Sequence, residues 1–133
     1  MLHEIAIAVH VVVAVLAIGL VGAIPLTARW ARQSPGPLAA PERILGALVR
    51  GVQLGALLML LSGIALDFSV AGGFHSSGWF RASIVLLVIF GVFMGRARVA
   101  LRRGGLRQVE QWGWAMCAAV AVITILMQLK PHA

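Results

Sequence analysis

Charged residues are scarce in this sequence, and acidic residues are the scarcest of them. Only 11% of its 133 residues are Asp, Glu, Lys or Arg, and 4 are acidic, whereas 61% are apolar. A typical soluble domain has about 25% charged and about 45–50% apolar residues. A small soluble fold exposes too much surface to bury so many apolar side chains. The composition excludes a soluble enzyme and a disordered tail, and it predicts a polytopic membrane protein.

Cysteine and the short motifs of common catalytic sites are also scarce or missing. Because Cys117 is the one cysteine, no disulfide can form within the chain. The sequence contains no Cys-x-x-Cys pair, Gly-rich phosphate loop, His-x-x-Glu-His or Gly-x-Ser-x-Gly motif. Its net charge of +7 would suggest nucleic acid for a soluble protein, but these arginines flank apolar spans. We therefore expect the lipid bilayer, and no nucleic acid, as their partner, and we assign no catalytic residue.

Four predicted helices are long enough to cross a membrane, which takes about 20 helical residues. The third has only 14 residues between Arg81 and Arg96, and it spans because both arginine side chains can extend to the interface. The first contains an apolar stretch, 5–28, without Asp, Glu, Lys or Arg, and this stretch is too long for a signal peptide. We expect Pro41 to Leu66 to lie in one helix without a break, and Gly104-Gly105 to end the third helix. The sequence predicts a single transmembrane domain, 1–133, that is all-α. Its four-helix up-and-down bundle has predicted helices at 3–31, 41–67, 79–103 and 106–129.

Basic residues are distributed unequally between the two ends of these helices. One end, here called the arginine-rich end, has nine of the 11: Arg29, Arg32, Arg43, Arg50, Arg96, Arg98, Arg102, Arg103 and Arg107. The opposite end, called the outer end, has only Arg81 and Lys130. The positive-inside bias predicts that the arginine-rich end faces the cytoplasm. We therefore expect a multi-pass protein of the bacterial inner membrane with both termini on the outer, periplasmic side.

Small residues at helical spacing predict close contacts between membrane helices, because they let two backbones approach. The candidate packing positions are Gly19, Gly22, Gly51, Gly55, Gly91 and Gly95. They would pack inside the bundle, against partner membrane subunits, or against a second copy of the chain.

His10 is the one ionisable side chain in the first apolar stretch, about 10 Å below the outer end of its helix. Ionisable groups inside a membrane are costly and are therefore functional candidates. An antiparallel second helix would bring Met59 and Ser62 to the same depth, and haem iron takes histidine or methionine as axial ligands. His10 and Met59 are thus candidate ligands of b-type haem. In the alternative, His10 hydrogen-bonds a neighbouring helix, at Ser62 or Thr124.

A second group of polar side chains is predicted at the outer end. His3 and His75 are candidate metal ligands there, since two imidazoles and a carboxylate suit zinc or copper. In the alternative, this end is a solvated rim with pairs such as Asp67–Arg81 or Glu4–Lys130. His3 shares one helix face with His10, and that face also carries Ala6, Val13, Ala14 and Ala17.

Several short runs carry a family resemblance over nearly the whole chain. They are Leu58-Met-Leu-Leu-Ser-Gly-Ile-Ala-Leu-Asp67, Gly78-Trp-Phe-Arg-Ala-Ser83, Gly95-Arg-Ala-Arg98, the two histidines of the first helix, and Leu129-Lys-Pro131. The chain resembles a family of bacterial integral membrane proteins of unknown function, similar in layout to copper-resistance D-type and HemJ-type membrane proteins. HemJ-type proteins are haem-binding protoporphyrinogen oxidases with a histidine ligand on a membrane helix and a Lys-Pro near the end. The resemblance implies that His10 and Lys130-Pro131 match those features.

Three hypotheses of function follow. In the first, a small inner-membrane bundle binds b-type haem or another redox cofactor in its outer half. The alternative is an accessory subunit of a larger membrane redox complex, without a cofactor of its own. A small drug exporter ranks last, because the sequence pattern of such exporters includes a membrane-embedded glutamate in the first helix. Here Glu4, the one glutamate of the first helix, lies at its very start.

Overall fold

Four α-helices make up the chain in the computed structural model, which describes residues 1–34, 39–69 and 77–129. They are α1 (Leu2–Gln33), α2 (Ala39–Ser69), α3 (Gly78–Arg102) and α4 (Leu106–Leu129), and the described residues include no strand. Each helix begins and ends within two residues of its predicted bounds. All four are long and apolar enough to cross a membrane. The all-α four-helix fold is therefore confirmed, and it is that of a multi-pass membrane protein.

Two local predictions about helix continuity are also confirmed. Helix α2 continues through Arg50 without a break, and the Arg50 side chain donates from Nε to the Gly46 carbonyl oxygen at 3.2 Å. Helix α3 ends at a glycine, since Gly104 has a φ of +73°, which L side chains rarely adopt. The N–H of Gly105 donates to Ala100 O at 2.9 Å and that of Gly104 donates to Leu101 O at 3.1 Å. This pair of bonds is a Schellman motif, which satisfies carbonyls that a helix end leaves free.

The central pair of the bundle is α1 and α4. Helix α1 packs extensively against both α2 and α4, and α3 packs mainly against α4, whereas α2 and α3 touch little. The helices therefore lie in the order α2, α1, α4, α3. Arg32 pairs with Glu110, and Val21 contacts Cys117 further along α4, so these two helices are antiparallel.

Helices α1 and α2 meet in a register that repeats every seven residues along both helices. His3 contacts Ser69, His10 contacts Ser62, and a Cβ at Gly55 would lie 3.2 Å from the Cβ of Ala17. The half-buried residues of the first part of α1 are His3, Ala6, His10, Val13, Ala14, Ala17 and Leu20. These include every residue of the predicted His10 face. That face therefore packs on α2.

The buried core lies mainly in the half of the bundle nearest the arginine-rich end. Its largest fully buried side chains are Ile24, Leu45, Met116, Val52, Val109 and Pro25. Among the described side chains, none is buried in α1 before Val21 or in α2 after Val52. In the outer parts of α3 and α4 the same holds, apart from Ser83. The outer half therefore buries little of its own apolar surface within the chain.

Candidate functional site

His10 lies at the α1–α2 contact, in the outer half of the bundle. Its imidazole is half-buried, and its Nδ1 lies 2.6 Å from the Oγ of Ser62. Gly63 adjoins the ring, because a Cβ at Gly63 would lie 3.8 Å from the His10 Cε1 atom. The cross-helix hydrogen bond to Ser62 is the one that a packed, structural histidine predicts. Thr124, the other predicted partner, instead donates to Val120 O of its own helix at 2.9 Å.

The Ser62 hydroxyl lies within hydrogen-bond distance of two groups, His10 Nδ1 at 2.6 Å and the Met59 carbonyl oxygen at 3.1 Å. Ser62 has a single hydroxyl hydrogen, so the tautomer of His10 depends on which of the two groups receives it. When Ser62 donates to Met59 O, the ring proton lies on Nδ1 and the lone pair on Nε2. Nε2 makes no hydrogen bond to any residue that the structure describes. A metal-bound histidine is usually held in this way, with its other ring nitrogen donating to a neighbouring acceptor.

His3 repeats this arrangement one heptad nearer the N-terminus. Its Nδ1 lies 2.7 Å from the Oγ of Ser69, and that hydroxyl donates to Leu66 O at 2.7 Å. The two histidines thus have the same kind of hydrogen-bond partner, about 10.5 Å apart along α1. They differ in depth, since His3 lies in the first turn of the helix and its bond to Ser69 is exposed.

The second predicted haem ligand, Met59, is half-buried and lies about one helical turn from Ser62 towards the arginine-rich end. Its carbonyl oxygen lies 3.1 Å from the Oγ of Ser62, within hydrogen-bond distance. An imidazole Nε2 and a thioether on facing helices are donors that haem iron accepts. Both side chains are thus of a type that haem iron accepts.

Only part of the predicted metal site at the outer end lies within the described residues. His3 is bonded to Ser69, whereas His75 lies outside the described residues, as do Lys130 and Pro131. In the part of the chain that the structure describes, no three His, Cys, Asp or Glu side chains form a group that could hold a metal ion.

The predicted packing glycines divide into two sets. A Cβ at Gly51 would lie 3.2 Å from Leu20 Cδ1, and one at Gly55 would lie equally close to Ala17, so these two are close-contact positions. At the other four glycines, Gly19, Gly22, Gly91 and Gly95, an added Cβ would meet no neighbouring helix within 4 Å in the described part of the chain, so their packing against a partner subunit or a second copy stays a prediction. Their helices are apolar on all sides, so spacing alone did not reveal which side faces a neighbouring helix.

A contact that the spacing argument missed joins α1 to α4. A Cβ at Gly113 would lie 2.9 Å from Pro25 Cδ. Pro25 has no N–H, so it leaves the carbonyl four residues earlier, at Val21, without its helical partner. Cys117 Sγ donates to that carbonyl at 3.8 Å. The signal in the sequence was the proline itself, since a proline inside a membrane helix requires a substitute donor from a neighbouring helix.

The site therefore consists of an imidazole held by a cross-helix hydrogen bond, a thioether nearby and a half-bundle with few buried side chains. Such a site can ligate a metal centre through Nε2, and it can equally accept a hydrogen bond there. A comparison of the chain with protein-family models, with curated proteins and with solved structures finds no match.

Proposed function

We propose that this chain is an inner-membrane protein that binds b-type haem in the outer half of its bundle, with His10 Nε2 as an axial ligand. The observation that supports the proposal is that His10 Nε2 makes no hydrogen bond to a described residue, while Nδ1 is bonded to Ser62. Met59 is the candidate second ligand. In this proposal Ser62 acts as a positioning residue, because it donates to Met59 O and accepts from Nδ1–H, which leaves the lone pair on Nε2.

A bound haem would supply one-electron chemistry, and the surrounding protein would set its potential. The chain contributes the imidazole, an apolar setting of low dielectric, and the backbone-anchored hydroxyl of Ser62. The resemblance to HemJ-type proteins supports haem over other redox cofactors. The protoporphyrinogen oxidase activity is suggested by that resemblance only, and it is not part of this proposal.

The proposal is tested by the absorption spectrum of the protein purified in mild detergent after expression with a haem precursor. We expect a Soret band in the wild type and its loss in His10→Ala. His3→Ala is the matched control, because it removes the other serine-bonded histidine of α1 and should keep the band. Ser62→Ala should lower haem occupancy roughly tenfold, within the range for such supporting residues.

Two outcomes would overturn the haem assignment. One is a colourless wild type that is folded and monodisperse. The other is a Soret band that persists in His10→Ala, since the haem would then be ligated elsewhere.

The second candidate function is an accessory subunit that packs against a larger membrane complex. It is favoured by four glycines, Gly19, Gly22, Gly91 and Gly95, at which an added Cβ would have no described atom of a neighbouring helix within 4 Å. Close approach of a partner helix needs such positions. We expect the 14.1 kDa chain to co-purify stoichiometrically with a larger subunit, and Gly91→Leu/Gly95→Leu to abolish this. A wild type that purifies from its native membrane as a lone monomer would contradict this function.

A further inference from the structure

A groove of about 520 Å³ lies between α3 and α4 at the arginine-rich end. Arg96 of α3 and Arg103, the residue directly after α3, line one side of it, and Gln108, Gln111 and Trp112 line it from α4. The remaining lining side chains are small and apolar. The groove is thus cationic and rich in hydrogen-bond donors at one end of an otherwise apolar bundle.

The positive charge of this groove is not neutralised by the protein. Arg96 and Arg103 are seven residues apart, so they share one face of α3. Neither guanidinium makes a hydrogen bond or ion pair with the described residues. Glu110, the nearest carboxylate along α4, is held by Arg32 of α1 at 2.6 Å. An anion from outside the chain is therefore the missing counter-charge.

Trp112, which lines the groove, forms an aromatic pair with a residue next to the groove. Trp112 is half-buried and contacts Phe93 of α3, with ring centroids 5.5 Å apart and a tilt of 38°. Phe93 lies about one turn from Arg96 on the side of the membrane interior. Tryptophan is favoured at membrane interfaces, where its ring meets acyl chains and its N–H meets polar groups. The indole N–H of Trp112 has no acceptor among the described residues.

We propose that this groove binds the headgroup of an anionic phospholipid from the leaflet on the arginine-rich side. The phosphodiester would lie between Arg96 and Arg103, whose planar guanidinium groups suit phosphate oxygens. Gln108 and Gln111 would donate to the remaining headgroup oxygens, and the acyl chains would lie along the Phe93–Trp112 pair. Basic pockets between membrane helices bind acidic headgroups in this manner. The proposal is independent of the haem.

The test is a titration of the full chain in dodecyl maltoside micelles with phosphatidylglycerol carrying brominated acyl chains, which quench nearby tryptophan. Equally brominated phosphatidylcholine is the comparison lipid. We expect saturable quenching by phosphatidylglycerol and much weaker quenching by phosphatidylcholine. The groove variant Arg96→Gln/Arg103→Gln should bind phosphatidylglycerol roughly 30-fold more weakly, the effect expected for two interfacial arginines.

The matched control is Arg98→Gln/Arg102→Gln, which removes the same charge from the opposite face of α3 at nearly the same depth. It should retain most of the wild-type affinity. Equal losses in the two variants would overturn the proposal, because they would reflect surface charge alone. Equal quenching of the wild type by both lipids would also overturn it, and this comparison needs no variant. Full displacement of the lipid by millimolar inorganic phosphate would instead assign the groove to a free anion.

Discussion

At the scale of single residues, Pro25 leaves a carbonyl without its helical hydrogen bond, and a side chain of α4 replaces that bond. The proline removes a helical hydrogen bond inside the membrane, where an unsatisfied carbonyl costs several kcal/mol. The Cys117 thiol donates to the Val21 carbonyl, which lacks its helical partner. Gly113 lets α4 come close enough to α1 for that bond. The glycine and the cysteine thus both serve the contact with the proline.

We predict that Gly113→Ala destabilises the protein by about 1–3 kcal/mol, the usual cost of inserting a methyl group into a full contact. The new Cβ would lie 2.9 Å from Pro25 Cδ and 3.1 Å from its backbone nitrogen, which cannot rotate away. The measurement is the free energy of unfolding in mixed micelles, followed by circular dichroism during titration with dodecyl sulfate. Gly95→Ala is the control, because its Cβ meets open space. Equal stability of Gly113→Ala and Gly95→Ala would contradict the prediction.

At the scale of helices, one ion pair ties the end of α1 to the start of α4. The Arg32 Nη2 and Glu110 Oε2 atoms lie 2.6 Å apart. The Arg32 side chain is 42% exposed, whereas the Glu110 side chain is only 12% exposed. Removing the arginine leaves a mostly buried carboxylate without a partner, whereas removing the carboxylate leaves an arginine that water can reach. The first change should therefore cost more than the second.

We predict that Arg32→Gln lowers the free energy of unfolding by about 1–3 kcal/mol and that Glu110→Gln lowers it by less than about 1 kcal/mol. The double variant should be more stable than Arg32→Gln, because it has no unpaired buried charge. A double-mutant cycle in the same micelle titration checks this order. Equal effects of the two single changes would show that the carboxylate is solvated without its partner.

At the scale of the whole molecule, the arginine-rich end holds most of the core and most of the charge, while the outer end has little of either. We predict that the arginine-rich end is cytoplasmic. Alkaline phosphatase, which is active only in the periplasm, should be active when fused after Ala133. It should be inactive when inserted at the turn 103–105. The reverse pattern would contradict the proposed orientation, and a fluorescent-protein fusion at each position is the complementary control.

The sequence by itself determined the helices, because length, hydropathy and helix-ending residues are local properties. Gly104 ends α3 where the Gly-Gly pair predicted, and α2 continues through Arg50 as its uninterrupted pattern predicted. Counting residues along antiparallel helices also gave the correct depth for Ser62 opposite His10. Whether His10 ligates haem stays a prediction.

Only the tertiary structure decided which faces of the helices meet. In water, an amphipathic helix shows its buried side in its sequence, but these helices are apolar all round, so their rotation about the long axis is not encoded by polarity. The structure therefore selects Gly51, Gly55 and Gly113 as contact positions and leaves Gly19 and Gly91 facing outwards. The loose outer half and the separation of α2 from α3 have the same origin, because lipid competes with every apolar helix contact on nearly equal terms.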